Sequence, residues 1–255
     1  MMSSQYFYHP DWPVLHEDNH LLGLYKPAGL LVQGDQTGEP SLLALGKAWL
    51  KERYNKPGEV FLGLVHRLDR PVAGVVLFCR TSKAAGRVSE QFRLGKVEKH
   101  YLAVVEGRLK TKSGRLVHQI ERYEDRSSRI VGSPTGVSQE ARLSYELLDT
   151  EGARSLVHVS LETGRRHQIR VQMAQIGHPI LGDLRYGASA PLPQKQIALF
   201  ARQLVVSHPV RKDDLCLQSP LPRQWPWPGP EVPAQGPLWN WNEYLTVNSK
   251  LSLPF

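Results

Sequence analysis

The chain has 255 residues, 41% apolar and 22% charged, with 32 Lys and Arg against 24 Asp and Glu and a formal charge of +8. This composition excludes a disordered chain and allows a sizeable core, while the basic surplus favours a polyanionic partner through counterion release. Two cysteines, Cys79 and Cys216, exclude a disulfide scaffold. No run approaches the ~20 apolar residues of a membrane span, and Met1 to Pro13 lacks the apolar core of a signal peptide, so the expectation is a cytoplasmic protein that touches no membrane.

Residues 20–25 predict a short strand, halted at Lys26-Pro27-Ala28-Gly29 by Pro and Gly. Over 41–53, Leu42, Leu45 and Trp49 recur at helical spacing, and Ser41 is placed to cap the start. The apolar run from Gly74 to Arg80 predicts a buried strand, and Thr81 or Ser82 then caps a helix to Leu94 with Ala85, Val88 and Phe92 on one face. His100 to Glu106 reads as a strand closed by Gly107. The stretch 108–140, rich in Arg, Ser and Gly, predicts short strands and exposed loops.

Ala141, Leu143, Tyr145 and Leu147 alternate, as do Val157, Val159 and Leu161, the mark of two half-buried strands. Thr163-Gly164 turns the chain into a helix from about Arg166 to Ile176, with Ile169, Met173 and Ile176 as its apolar stripe and Gly177 as its stop. On that helix Arg166 and Arg170 lie one turn apart, both able to face a groove. Strands with helices interspersed, but without βαβ alternation, predict an α+β fold with a mixed, largely antiparallel central sheet flanked by helices and loops. Residues 220–255 hold 8 of the 19 prolines and 4 of the 6 tryptophans. They predict an extended arm anchored by its Trp side chains.

The most specific segment is His66-Arg67-Leu68-Asp69-Arg70-Pro71-Val72-Ala73-Gly74. One carboxylate stands between two arginines just before a buried strand, and Pro71 keeps Arg70 extended. The flanking cations favour the ionised form, which makes Asp69 a competent nucleophile and a poor general acid. A plain loop ion pair is the alternative for an isolated Asp-Arg step.

Together with three further segments in order, this motif resembles the RluA family of pseudouridine synthases. The other segments are Lys26-Pro27-Ala28-Gly29, Lys99-His100-Tyr101-Leu102-Ala103-Val104-Val105-Glu106-Gly107, and Thr163-Gly164-Arg165-Arg166-His167-Gln168-Ile169-Arg170 with Gly177-His178-Pro179-Ile180-Leu181-Gly182-Asp183. The resemblance covers residues 14 to 225 and implies a catalytic domain there, between an N-terminal extension (1–13) and a Pro/Trp-rich tail (226–255). It implies isomerisation of uridine to pseudouridine in structured RNA, a stem-loop of rRNA or tRNA rather than DNA, by a monomer. Asp69 matches the nucleophile, Tyr101 the tyrosine that packs on the target base, and Arg170 the arginine that pairs with the aspartate and helps splay the nucleotide. Arg165 and Arg166 read as phosphate contacts, and Arg67 and Arg70 complete the substrate-binding set.

The implied chemistry is neither redox nor hydrolytic, so no cofactor and no metal are expected. The sequence has no Gly-x-Gly-x-x-Gly, no phosphate-binding Lys-Ser/Thr loop and no His-Glu-x-x-His. His167 and His178 read as supports of helix ends or loops. Two departures from the family pattern stand out: Val72-Ala73 replaces the usual polar pair, and Leu199-Phe200-Ala201 replaces Leu-His-Ala. As the sequence starts at the catalytic part, without the small basic RNA-binding module of some relatives, the expectation is that RNA selection rests on the catalytic domain and tail. Two rival readings are a catalytically inactive RNA-binding protein on the same fold and an Asp-nucleophile hydrolase. A glycosidase calls for two partnered carboxylates and a phosphotransferase for a carboxylate-held Mg²⁺, whereas the motif loop supplies one carboxylate and no Asp-x-Asp occurs.

Overall fold

A computed structural model describes residues 14–125, 127–219, 221–222 and 225–227. The N-terminal extension and the tail beyond Trp227 lie outside the described residues. The strands are β1 (Val14–Glu17), β2 (Leu21–Lys26), β3 (Gly63–Leu64), β4 (Ala73–Cys79), β5 (Glu98–Glu106), β6 (Ser113–Arg122), β7 (Ser128–Val131), β8 (Gln139–Glu151), β9 (Arg154–Leu161), β10 (Leu199–Ser207) and β11 (Asp214–Gln218). The α-helices are α1 (Leu42–Arg53), α2 (Ser82–Arg93) and α3 (Gln168–Gln175).

The strands form one sheet in the order β1-β2-β4-β10-β5-β9-β8-β6-β7, with β11 beside β10 and β3 beside β4. Among the described residues every pairing of these strands is antiparallel except one. β4 and β10 run parallel, with Phe200 opposite Ala73 and Ala201 opposite Gly74. Gly74 is required at this seam: its φ is +130°, and a Cβ there would run into the backbone of Ala201.

The apolar runs of β2 and β4 are buried at every position, as expected of central strands covered on both faces. Helix α1 lies over this part, with Gly46 against Leu24 and Leu62 and with Leu42, Leu45, Trp49 and Leu50 buried. Both predicted caps are present. The Ser41 hydroxyl accepts from the Ala44 amide at 3.3 Å, and that of Thr81 from the Ala84 amide at 3.2 Å.

Two expectations need correction. The stretch 108–140 is not only short strands, because β6 alone has ten residues. Its inward positions include Gly114 and His118 beside Leu116 and Ile120, so its alternation is weakly apolar. Helix α3 begins at Gln168 rather than Arg166, since His167 takes a left-handed backbone, φ +53°. Arg166 is therefore outside the helix. Nor does Arg170 face an open groove: Gln168 to Met173 are all buried. The buried amides serve backbone partners, Gln168 donating to the Arg142 carbonyl at 3.0 Å and Gln172 to that of Ala141 at 3.2 Å.

The first tryptophans of the Pro/Trp-rich segment do pack on the domain. Trp227 is buried and donates its indole N–H to Asp149 at 3.3 Å. The Trp225 ring lies 5.8 Å from that of Phe200. This gives the Phe200 departure a setting, since Phe200 is fully buried in a small apolar cluster with Tyr25, Ala73, Leu102 and Leu221.

At the sheet edge Asp18 ties the β1–β2 turn to the β10–β11 turn. It accepts from the His20 and Leu21 amides at 2.7 and 2.9 Å and meets His16, His208 and Arg211 at 2.9, 3.0 and 3.3 Å. Burial opposes the charge, but these bonds outweigh it and hold the carboxyl well below the usual carboxylate range. A depressed carboxylate contributes stability above the unfolded pKa of about 4 and loses it as the pH falls further. Asp18→Ala is expected to cost about 2 kcal/mol at pH 7 by urea denaturation, a difference that shrinks at pH 3. A difference independent of pH would overturn this account.

Candidate active site

Asp69 sits in the loop between β3 and β4, beside the parallel seam, and many main-chain bonds fix that loop. Its carbonyl accepts from the Val72 amide at 3.0 Å, the Gly29 amide donates to the Arg70 carbonyl at 2.7 Å, and the Ile197 amide to that of Pro71 at 3.3 Å. His66, stacked on Phe92 with 4.9 Å between centroids, accepts the Leu77 amide at 2.9 Å. Burial pushes the pKa of His66 down to about 3, which keeps it the neutral acceptor this bond requires.

Lys26, at the end of β2, is fully buried below the loop. Its ammonium donates to the carbonyls of Pro27, Arg70 and Val72 at 2.9, 3.0 and 2.7 Å, which uses all three of its protons. Burial pulls its pKa down to about 7, against the pull of the Asp69 carboxylate, which favours the charged form. At Val72-Ala73, where hydroxyls are missing, the Lys26 bond to the Val72 carbonyl supports the loop, and the Val72 side chain is buried in the core.

The guanidinium that reaches Asp69 is that of Arg170, with Nη1 3.1 Å from Oδ2. Its Nε and Nη2 bind both oxygens of Asp183 at 2.6 and 2.8 Å, a bidentate pair that fixes its plane. Asp183 and Arg170 side chains are only 2% and 6% exposed, while Asp69 is 28% exposed. The anchor is thus sealed and the carboxylate above it can be reached. The Tyr186 ring, in the turn Leu184–Tyr186, lies 5.0 Å from the Arg170 guanidinium carbon.

Tyr101 on β5 lies between Ala201 and Val159 of the neighbouring strands. Burial first, then the Asp69 charge, pushes its hydroxyl far above the ordinary tyrosine value. It is a neutral aromatic surface within the electrostatic reach of Asp69. The remaining sequence-predicted residues disperse. Arg70 turns to Glu39 and to the Gly29 carbonyl, the latter at 2.9 Å. Arg165 donates to the Glu140 carbonyl at 2.9 Å. Arg67 and Arg166 are exposed and make no ion pair within the described residues.

Sequence reasoning missed part of this site. His167 was assigned to the support of a helix end, yet its Nε2 lies 3.7 Å from Asp69 Oδ2 and its Nδ1 2.7 Å from the Tyr186 hydroxyl. His178 does support a loop, bonding the Glu106 carbonyl at 2.8 Å. Asp183 stands in the last motif without a role that its residue type announces, and Tyr186, three residues on, carries no signal of its own in the sequence.

A family model described as RNA pseudouridylate synthase matches residues 20–175. Ribosomal large subunit pseudouridine synthase D of Nitrosomonas europaea is 37% identical over 218 residues, covering 82% of this chain and 62% of that protein. tRNA pseudouridine synthase C of Haemophilus ducreyi is 33% identical over 229 residues, covering 83% and 92%. The chain belongs to the RluA family of RNA pseudouridine synthases. It spans less than two thirds of the ribosomal relative's length. A solved structure, human RNA Pseudouridylate Synthase Domain Containing 4, aligns with this family member at a TM-score of 0.70 and 27% identity over 83% of this chain and 89% of that one. The α+β fold with its mixed sheet is that of pseudouridylate synthase domains. No described helix is long and apolar enough to cross a membrane.

Proposed function

We propose that this chain converts specific uridines of structured ribosomal or transfer RNA to pseudouridine, with Asp69 as the nucleophile. The observation that carries this reading is the reachable carboxylate of Asp69 on a buried Arg170–Asp183 pair, in a chain of this family. Isomerisation breaks the N1–C1′ bond, turns the uracil and joins C5 to C1′, after which the C5 proton leaves. The carboxylate attacks C1′ of the ribose or C6 of the base. The Arg170 guanidinium orients it, and Tyr101 offers its ring to a base that has left its stack. Exposed Arg67 and Arg166, with Arg165, supply phosphate contacts around the opening.

Incubation with uridine-containing rRNA and tRNA transcripts, followed by nucleoside analysis, tests the reading. New pseudouridine is expected, whereas RNA binding without it would favour the inactive RNA-binding alternative. Because the contacts are to phosphates, affinity should fall steeply with salt. Each of Arg67→Ala, Arg165→Ala and Arg166→Ala should flatten the log–log slope by about 1, as measured by fluorescence anisotropy. Affinity that does not change from 50 to 200 mM salt would exclude a groove of this kind.

A further inference from the structure

His167 comes within 3.7 Å of the Asp69 carboxylate, and a chain of hydrogen bonds sets where its proton lies. The Tyr186 hydroxyl accepts from the Ser128 amide at 2.9 Å, a donor with only one possible role. The phenolic proton is then left for His167 Nδ1, 2.7 Å away. An imidazole that accepts at Nδ1 carries its own proton on Nε2. Burial pushes the pKa of His167 down to about 4, opposed by Asp69 and assisted by Arg170, Arg166 and Arg185, so the ring is neutral at pH 7. Its backbone lies in the left-handed region, φ +53°, a conformation uncommon outside glycine.

The two side chains that reach Asp69, Arg170 Nη1 at 3.1 Å and His167 Nε2 at 3.7 Å, both approach Oδ2. The His167 contact is longer than a hydrogen bond in the substrate-free site, where catalytic bonds are often loose. Resting on the function proposed above, we infer that His167 is a positioning residue whose Nε2–H, set by Tyr186, holds Asp69 by Oδ2 beside Arg170, leaving Oδ1 as the attacking oxygen. The new bond to carbon is drawn from an Oδ1 lone pair: at C1′ the N1–C1′ bond breaks and its pair leaves with the uracil, at C6 the C5–C6 π pair moves into the C5/O4 enolate, and in both cases Oδ2 becomes the carbonyl oxygen of the adduct. When that bond breaks, its electron pair returns to the carboxylate, whose charge is again shared with Oδ2 under the two donors. Their charge stabilisation therefore assists departure, while attack is served by the orientation they impose.

The tautomer is read directly from two-bond ¹H–¹⁵N spectra of ¹⁵N-histidine-labelled protein without RNA, the His167 signals being those lost in His167→Gln. Nε2–H is expected in the unaltered protein and a mixture of tautomers in Tyr186→Phe, which keeps the ring and removes the hydroxyl that meets Nδ1. Kinetically, His167→Gln keeps an N–H near the position of Nε2 and should retain kcat within about threefold, while His167→Met should lose about 30-fold in kcat at unchanged KM. An Nδ1–H tautomer, or equal kcat in Gln and Met variants of native stability, would overturn the inference. If the unaltered protein makes no pseudouridine, the proposed function fails instead, and the tautomer result stands by itself.

Discussion

Asp69→Asn is expected to end turnover while leaving the protein folded and bound to RNA. The side chain is 28% exposed and makes none of the core contacts, so the amide fits where the carboxylate stood. What disappears is the charge, and a neutral amide forms no covalent adduct. The bond to Arg170 persists through the amide oxygen, so the surroundings change little. On the proposed function phosphates and the flipped base supply most of the binding contacts, so RNA affinity should stay within a few-fold. Release of tritium from RNA labelled at uridine C5 is the readout. Appreciable release by the purified variant would remove Asp69 from the mechanism.

Arg170→Ala should damage both rate and stability, for separate reasons. It strips Asp69 of its cation, so that carboxylate loses orientation, and it leaves Asp183, 2% exposed, as a buried carboxylate without its bidentate partner. Breaking such a pair from one side costs about 3–5 kcal/mol. The double variant Arg170→Ala/Asp183→Ala removes the stranded charge and should recover part of the stability but none of the rate. Urea denaturation beside the tritium assay separates the two effects. A double variant less stable than Arg170→Ala alone would contradict the buried-charge account.

Strands β2, β4, β5, β8 and β9 are legible because their side chains alternate or run apolar without a break, and α1 and α2 because a hydroxyl caps a periodic stretch, whereas β10, with Arg202 and Gln203 in its middle, is not. The first turn of α3 is hidden because nothing in the residue type of His167 announces a left-handed backbone. Nor do that helix's surroundings show in its residue types. Gln168, Arg170 and Gln172 look hydrophilic, yet all three are buried and spent on backbone or carboxylate partners. At the site, local charge alone placed Arg67 and Arg70 beside Asp69, whereas Arg70 goes to Glu39 and Gly29. The partner that reaches Asp69 lies 101 residues away in sequence. Motif resemblance supplied that pairing, and no local pattern could. Tyr186 and Ser128 escaped for the same reason, being joined to the site only by the fold.

The parallel seam of β4 and β10 also sets an order of events during synthesis. Ala73 and Gly74 wait for Phe200 and Ala201, and contacts so distant along the chain are slow to close, because the entropy of a large loop is lost before they form. A nascent chain that has emerged through residue 160 already carries the Asp69 carboxylate but neither the arginine that orients it nor the strand that seats its loop. The carboxylate is thus the early arrival and its guanidinium partner the late one, so the site is assembled only as the last third of the molecule closes over the first.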